Sequence, residues 1–376
     1  MAGNMALDLI AEVMGWDEER GSPATAEYAW LRMMSSIKYD GYADFRAGVR
    51  FIESLAVWLK QFEFEDRAIA YEFFKRRLVY ISPAELQCLI DLFFPEVVTP
   101  GLREAVAKAI AIRPYEVWRT KQGADRFKSE LRRTLFVGMS DGSRTDILRR
   151  ANSGRISTEQ VVATLIIDDD KWEDLGEELG KAEGPDAKFE RVYLVEDFTA
   201  SGTTFIRRVA GEWKGKLAKF EHRVQDARKT LKEKFPLAEG YSLHIHHYIS
   251  SHQARDNLDN LLADAQRGWT ERSFGSVYVT EGLKLPASLK LTRPRDDGIL
   301  NLCDKYHDPG LDKRLEKHLT QSGIDSVKYG FAACALPLIL DHNTPNNSIP
   351  LLWAETPGGS GSHPMEPLFR RRDRHG

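Results

Sequence analysis

Cysteine is scarce: Cys88, Cys303 and Cys334 are the only three in 376 residues, far apart and without a CxxC pair. That spacing excludes a zinc module and a disulfide framework, and predicts a reducing, cytoplasmic setting. Long apolar runs are missing too. The most apolar stretch, "YGFAACALPLIL", is too short to span a bilayer and contains Pro337, so no membrane partner is expected. The opening "MAGNMALDLIAEVMGWDEER" carries acids within its apolar stretch and lacks a basic lead, unlike a signal peptide. Neither charge sign dominates: 53 Lys and Arg against 56 Asp and Glu give a net charge of -3. There is thus no global attraction to nucleic acid, and any such contact needs a local basic patch. Internal repeats are absent. What is present, 42% hydrophobic and 29% charged residues, suits a globular chain with a full core. Its length suggests two domains, or a large one with an appendage.

Residues 1–120 read as a helical domain. In "DFRAGVRFIESLAVWLKQFEF", Phe45, Val49, Ile52, Leu55, Leu59 and Phe62 recur at three- and four-residue steps. "SPAE" places Ser82 as an N-cap, Pro83 at the first helical position and Glu85 to close a capping box; "TPGLREAVAKAIAI" starts alike at Thr99 and Pro100. No strand pattern and no catalytic constellation is evident there. The reading is an accessory domain with room for an unknown protein partner.

From residue 121 to 376 the character changes. "TLFVGMSDGSR", "VVATLII", "VYLV", "YSLHIHHYISS", "SVYVTEGLKL" and "FAACALPLILDHN" are strand candidates. Between them "TDILRRAN", "GKLAKFEHRVQDARKTLKEKF" and "ARDNLDNLLADAQRGW" read as helices. Such alternation predicts an α/β fold with a mostly parallel sheet flanked by helices. Asp168–Asp170 reads as a loop or strand end, and the basic tail after "TPGGSGS" as a loose end or a clasp.

The chemistry concentrates in "RVYLVEDFTASGTTFIRR". A buried strand hands over to small and hydroxyl residues, Thr199, Ala200, Ser201, Gly202, Thr203 and Thr204, read as opening a helix at "FIRRVAGEW". Converging backbone N–H groups, hydroxyls and a helix N-terminus make a cradle for a monophosphate. It is not a Walker A loop, whose spacing and lysine are missing. Glu196 and Asp197 stand just before it. Two acids beside a phosphate need something between them, and the vicinal hydroxyls of a ribose 5-phosphate meet that need, directly or through hydrated Mg²⁺.

Strand, acid pair and loop, in that order, resemble the phosphoribosyl-diphosphate (PRPP) signature of type I phosphoribosyltransferases. The resemblance implies a type I phosphoribosyltransferase-like sheet, with Glu196 and Asp197 as the catalytic acids that hold the ribose hydroxyls and Mg²⁺. Residues 199–204 would take the 5-phosphate. "LFVGMSDGSR" stands where the family binds pyrophosphate, which gives that role to Ser140, Asp141, Gly142, Ser143 and Arg144. The other reading of that turn is a helix cap by Ser143 or Thr145. Ala200 stands where purine-salvage members carry an acid, so a 6-oxopurine acceptor is not implied. The charged stretch 171–190 occupies a plausible place for the family's catalytic loop. "YVTEGLKL" and "DHNTPNNSIPLLW" resemble segments of the phosphoribosyltransferase-like proteins of bacterial conflict and antiphage systems.

In that last segment Asn343, Asn346 and Asn347 are candidate readers of an acceptor base and Trp353 a stacking partner; the alternative is a turn satisfying its own backbone. "HIHHY" puts His244 and His246 on one strand face and His247 on the other. Without a third ligand, a structural pair is the better reading. Three functions remain open: phosphoribosyl transfer to an unknown acceptor, a non-catalytic PRPP or nucleotide sensor, and a nucleotide-hydrolysing effector.

Overall fold

The alternation after residue 130 is realised as a five-stranded, wholly parallel sheet. The computed structural model describes residues 2–16, 23–46, 50–316, 319–320, 323–359 and 362–371. Along the chain run α1 (Ala2–Met14), α2 (Pro23–Ile37), α3 (Phe51–Lys60), α4 (Phe64–Arg77), β1 (Val79–Ile81), α5 (Pro83–Phe93), α6 (Thr99–Ala109), α7 (Lys121–Arg132), β2 (Thr134–Gly138) and α8 (Thr145–Ala151). Then come β3 (Val161–Val162), α9 (Asp169–Glu183), β4 (Phe189–Thr199), β5 (Arg207–Val209), β6 (Glu212–Lys214), α10 (Lys216–Leu231), β7 (Leu237–Ser250), α11 (His252–Gly268), β8 (Val277–Lys284), α12 (Asp297–Tyr306), α13 (Pro309–Arg314) and β9 (Leu338–Leu340). No helix among the described residues is long and apolar enough to cross a membrane.

Packing groups residues 86–285 into one unit, and residues 1–85 with 286–376 into another. A division at residue 120 is therefore not the one the packing makes. The reason lies in pairing. β1, a strand the periodicity did not reveal, lies parallel to β9, with Val79 opposite Leu338 and Ile81 opposite Leu340. Phe369 then inserts among the rings of Tyr42, Phe45, Phe51 and Tyr80, 5.2 Å from Tyr42 and 5.6 Å from Phe51 between centroids. Burying each such ring contributes about 1.5–3 kcal/mol, so the C-terminal segment is held by the N-terminal helices. The expected stripe Phe45, Ile52, Leu55, Leu59 and Phe62 is buried; Val49 and the last basic residues, 372–376, lie outside the described residues.

The capping box at Ser82 forms as expected: Ser82 N donates to Glu85 Oε2 at 2.7 Å and Glu85 N to Ser82 Oγ at 3.3 Å. Thr99 is not a helix start. α5 runs through a single π turn, Phe94–Val98, into α6, and Thr99 has helical neighbours on both sides. Pro95 and Pro100 each lack the N–H of an i→i−4 bond, and the wider turn accommodates them.

In the second unit the strand order is β3-β2-β4-β7-β8. Leu135, Val137, Val192, Leu194, Leu243 and Ile245 are fully buried on one face, against α9, α10 and α11. On the other face a ladder of rings crosses the strands in register: Phe136, Tyr193, His244 and Tyr278. Its successive centroids are 5.4, 4.6 and 4.8 Å apart. Two expectations fail here. The stretch 171–190 is mostly helix and not a long loop: Asp168 caps α9 by accepting from Lys171 N at 2.8 Å, and Trp172, Leu175 and Leu179 anchor that helix in the core. "FIRRVAGEW" is not a helix either. It is the hairpin β5–β6, and the helix begins only at Lys216.

Candidate functional site

In an open parallel sheet, ligands collect beyond the carboxyl ends of the strands, where the order reverses. That reversal falls between β2 and β4, because the chain leaves β2 for β3 on one side and β4 returns on the other. The loops after β2 and β4 carry the residues singled out from sequence. Their strands are in register, Gly138 opposite Val195, and Met139 N donates to Val195 O at 3.0 Å. Ser140–Arg144 is thereby held level with Glu196 and Asp197.

The acids have different surroundings, because successive strand residues point to opposite faces. Glu196 is buried, 4% exposed, and both its oxygens are used. Oε1 accepts from Ser140 Oγ and, at 3.4 Å, from Ser143 Oγ; Oε2 is ion-paired with Lys216 Nζ. Ser143 Oγ in turn accepts from the N–H groups of Met139 and Ser140, both at 3.0 Å. Glu196 therefore ties the β2 loop, β4 and the start of α10 into one network. Burial and the neighbouring Asp197 raise its carboxyl against the pull of Lys216, up to about 7. Lys216 had no signal in the sequence. It stands twenty residues past the acid, beyond a hairpin read as helix.

Asp197 is half-buried and accepts from Phe198 N at 2.8 Å. Gly142 lies against it: a Cβ there would stand 2.7 Å from Asp197 Cγ. Only glycine lets the β2 loop approach the acid this closely. Arg144 follows at φ 50°, ψ 39°, a left-handed conformation that a non-glycine residue adopts at a cost of about 1–2 kcal/mol. Ser143 and Thr145 are not side-chain caps of α8, whose N-cap position is Arg144. Asp141 is exposed at the turn.

After Thr199, the last residue of β4, the loop is pinned from below. Ser251 donates through N to Thr199 O at 2.9 Å and through Oγ to Ala200 O at 2.5 Å. Asn257 Nδ2 donates to Ser201 O at 2.9 Å. Gly202 at φ +74° would bring a Cβ within 3.0 Å of Ala254 O, so the loop's fit on α11 needs glycine. With the carbonyls turned toward these donors, the N–H groups of Ser201, Gly202, Thr203 and Thr204 meet no acceptor among the described residues. The hydroxyls of Ser201 and Thr203 lie 2.9 Å apart. The helix field expected behind the loop is redirected: Lys216 N and Leu217 N, the first donors of α10, bond Thr204 O and Phe205 O at 3.2 and 3.0 Å. They hold the loop rather than face a ligand.

His247 stands in register beside Glu196, with Glu281 beyond it. Burial, with Lys216 nearby, pushes its imidazole down to about 3, so it is neutral, and Nδ1 has no partner among the described residues. His246 is likewise neutral and shares a hydrogen bond of 3.0 Å with Thr280 Oγ1. No group of three His, Cys, Asp or Glu among the described residues is arranged to hold a metal ion.

The proposed acceptor residues belong to the other unit. Asn347 Nδ2 donates to Phe331 O at 3.2 Å, and Asn346 O accepts from Phe331 N at 2.8 Å. Trp353 is buried and its Nε1 donates to Ser348 O at 2.9 Å. Asn343 N donates to Leu340 O at 3.2 Å. Asn347 thus ties its turn to the segment at Phe331, while Trp353 bonds within its own turn.

A parallel sheet with two loops meeting at its point of reversal, one lined with unpaired N–H groups and hydroxyls and both next to an acid pair, is the arrangement of an α/β protein of phosphoribosyltransferase type. The chain belongs to the PRTase-CE family, a phosphoribosyltransferase-type family whose model matches residues 55–371. No curated protein and no solved structure matches it.

Proposed function

We infer that this site binds PRPP, or a nucleotide carrying ribose 5-phosphate, and transfers the phosphoribosyl group to an acceptor. The run of four unpaired N–H groups at 201–204 carries this reading, since an anion of phosphate geometry satisfies several at once. Asp197, against Gly142 and half-open, serves as acceptor for the ribose diol. Glu196 orders the β2 loop that receives the diphosphate, with Arg144 in it as a bidentate phosphate donor. As the diphosphate departs, positive charge grows on the ribose ring, and the Asp197 carboxylate stabilises that charge more than the ground state. Glu196 is ion-paired with Lys216; Asp197, half-open beside the β2 loop, would hold Mg²⁺ arriving with the diphosphate, directly or through water. Bound there, Mg²⁺ would neutralise the leaving group. The likeness to conflict-system proteins extends the proposal to antiphage defence.

The test is pyrophosphate release from PRPP and Mg²⁺ with a panel of bases, nucleosides, oligonucleotides and water, for wild type and Asp197→Asn. Acceptor-dependent release that Asp197→Asn abolishes supports transfer. Saturable binding without release overturns it in favour of a sensor, and release with water alone identifies a hydrolase.

A further inference from the structure

Residues 103–121 carry a feature the site does not use. The 3₁₀ turn Pro114–Arg119 places Tyr115 and Trp118 three residues apart. With three residues per turn, such a pair stands on one face, about 6 Å apart along the axis. Both rings face solvent, 54% and 52% exposed. Trp118 is braced on one side by Phe127, centroids 4.5 Å apart, and Arg113 lies over Tyr115 at 5.9 Å and donates to its hydroxyl at 2.7 Å. The rings are held from behind and open in front.

The charge around them runs against that of the chain. Arg103, Lys108, Arg113, Arg119 and Lys121 lie within or close to the turn in sequence, with Glu104, Glu116 and Asp125 the acids among them, and Arg103 Nε donates to Pro114 O at 3.1 Å. Glu116 is spent on the backbone, accepting from Arg113 N at 3.0 Å, and Asp125 is 3.9 Å from Lys121. No carboxylate of the described residues pairs with Arg103, Lys108, Arg113 or Arg119. Between residues 93 and 165, Tyr115 and Trp118 are the exposed large hydrophobics among those described. Two exposed rings one 3₁₀ turn apart, among cations with no carboxylate partner, match a stacking platform for unpaired bases on a phosphate backbone.

We propose that the Tyr115–Trp118 turn is a binding surface for single-stranded nucleic acid. Bases stack on the two rings while Arg103, Lys108, Arg113 and Arg119 contact phosphates. The surface is independent of the PRPP reading, which stands or falls on its own residues.

The experiment is fluorescence anisotropy of the full chain with labelled twelve-nucleotide single strands, DNA and RNA, and with the matching duplex, from low to physiological salt. Single strands should bind more tightly than duplex. Tyr115→Ala should weaken binding about tenfold, as loss of one stacked base does. Arg113→Gln with Arg119→Gln should flatten the salt dependence by about 0.7 in log–log slope per cation. Tyr115 is not braced by the core, so its variant keeps the test readable if Trp118→Ala misfolds, and unchanged thermal melting verifies this. Absence of single-strand binding at low salt, equal binding of duplex, or affinity unaltered in Tyr115→Ala overturns the proposal. Capture of an acidic protein through the same residues, without oligonucleotide binding, overturns it in favour of protein docking.

Discussion

Replacing Glu196 by Gln isolates the buried acid of the site. In the folded protein its carboxyl sits near 7 rather than its ordinary 4.5. The native state therefore binds a proton that the unfolded chain has already released. Stability contributed through this group is full below pH 4.5 and falls as pH rises toward 7, after which it is constant. The displacement corresponds to about 3 kcal/mol, and Glu196 is buried deeply enough that solvent screens little of it. Gln cannot ionise, keeps the shape, and can accept from Ser140 through its amide oxygen. Lys216 keeps a side-chain exposure of 26%, so without its partner it still reaches water. Urea unfolding from pH 4.5 to 8, followed by tryptophan fluorescence, should show wild type losing about 3 kcal/mol relative to Glu196→Gln across that window. Parallel curves for the two proteins would refute a buried, proton-sharing Glu196.

Other consequences follow from contacts already described. Gly142→Ala drives a methyl group into the Asp197 carboxylate; it should cost about 1–3 kcal/mol of stability and weaken PRPP binding in a calorimetric titration. Trp172→Ala empties a fully buried site beneath α9 and should lower stability by about 3–5 kcal/mol in chemical denaturation. Ser82→Ala breaks the capping box at α5 and should cost about 1 kcal/mol, read as a lower urea midpoint.

What could be read beforehand has a physical pattern. β2 and β4 were legible because strands buried on both faces read as continuous apolar runs, and β7 and β8 because β-branched and aromatic residues recur in them. The acid pair and its loop were legible because two acids closely followed by an unbroken run of small and hydroxyl residues stand out in sequence. The hairpin β5–β6 escaped because Phe205, Ile206, Val209 and Trp213 mimic helical spacing. Its signal was Ala210-Gly211, both at positive φ, 49° and 86°, between β-formers. That is the two-residue turn hairpins prefer. β1 escaped because three residues leave no period to detect, and its pairing with β9 joins segments more than 250 positions apart. The division of labour between the acids was invisible for a related reason. It depends on Lys216, brought to Glu196 by the fold and not by spacing.

In the function proposed above, the loop 199–204 and Asp197 receive a ribose 5-phosphate. Calorimetric titration of the full chain with PRPP and Mg²⁺, wild type against Asp197→Asn and the double variant Ser201→Ala, Thr203→Ala, tests it most directly. Saturable binding by wild type, weakened about tenfold or more in both variants, is the predicted result. No saturable binding by wild type, or equal affinity in all three proteins, would contradict it.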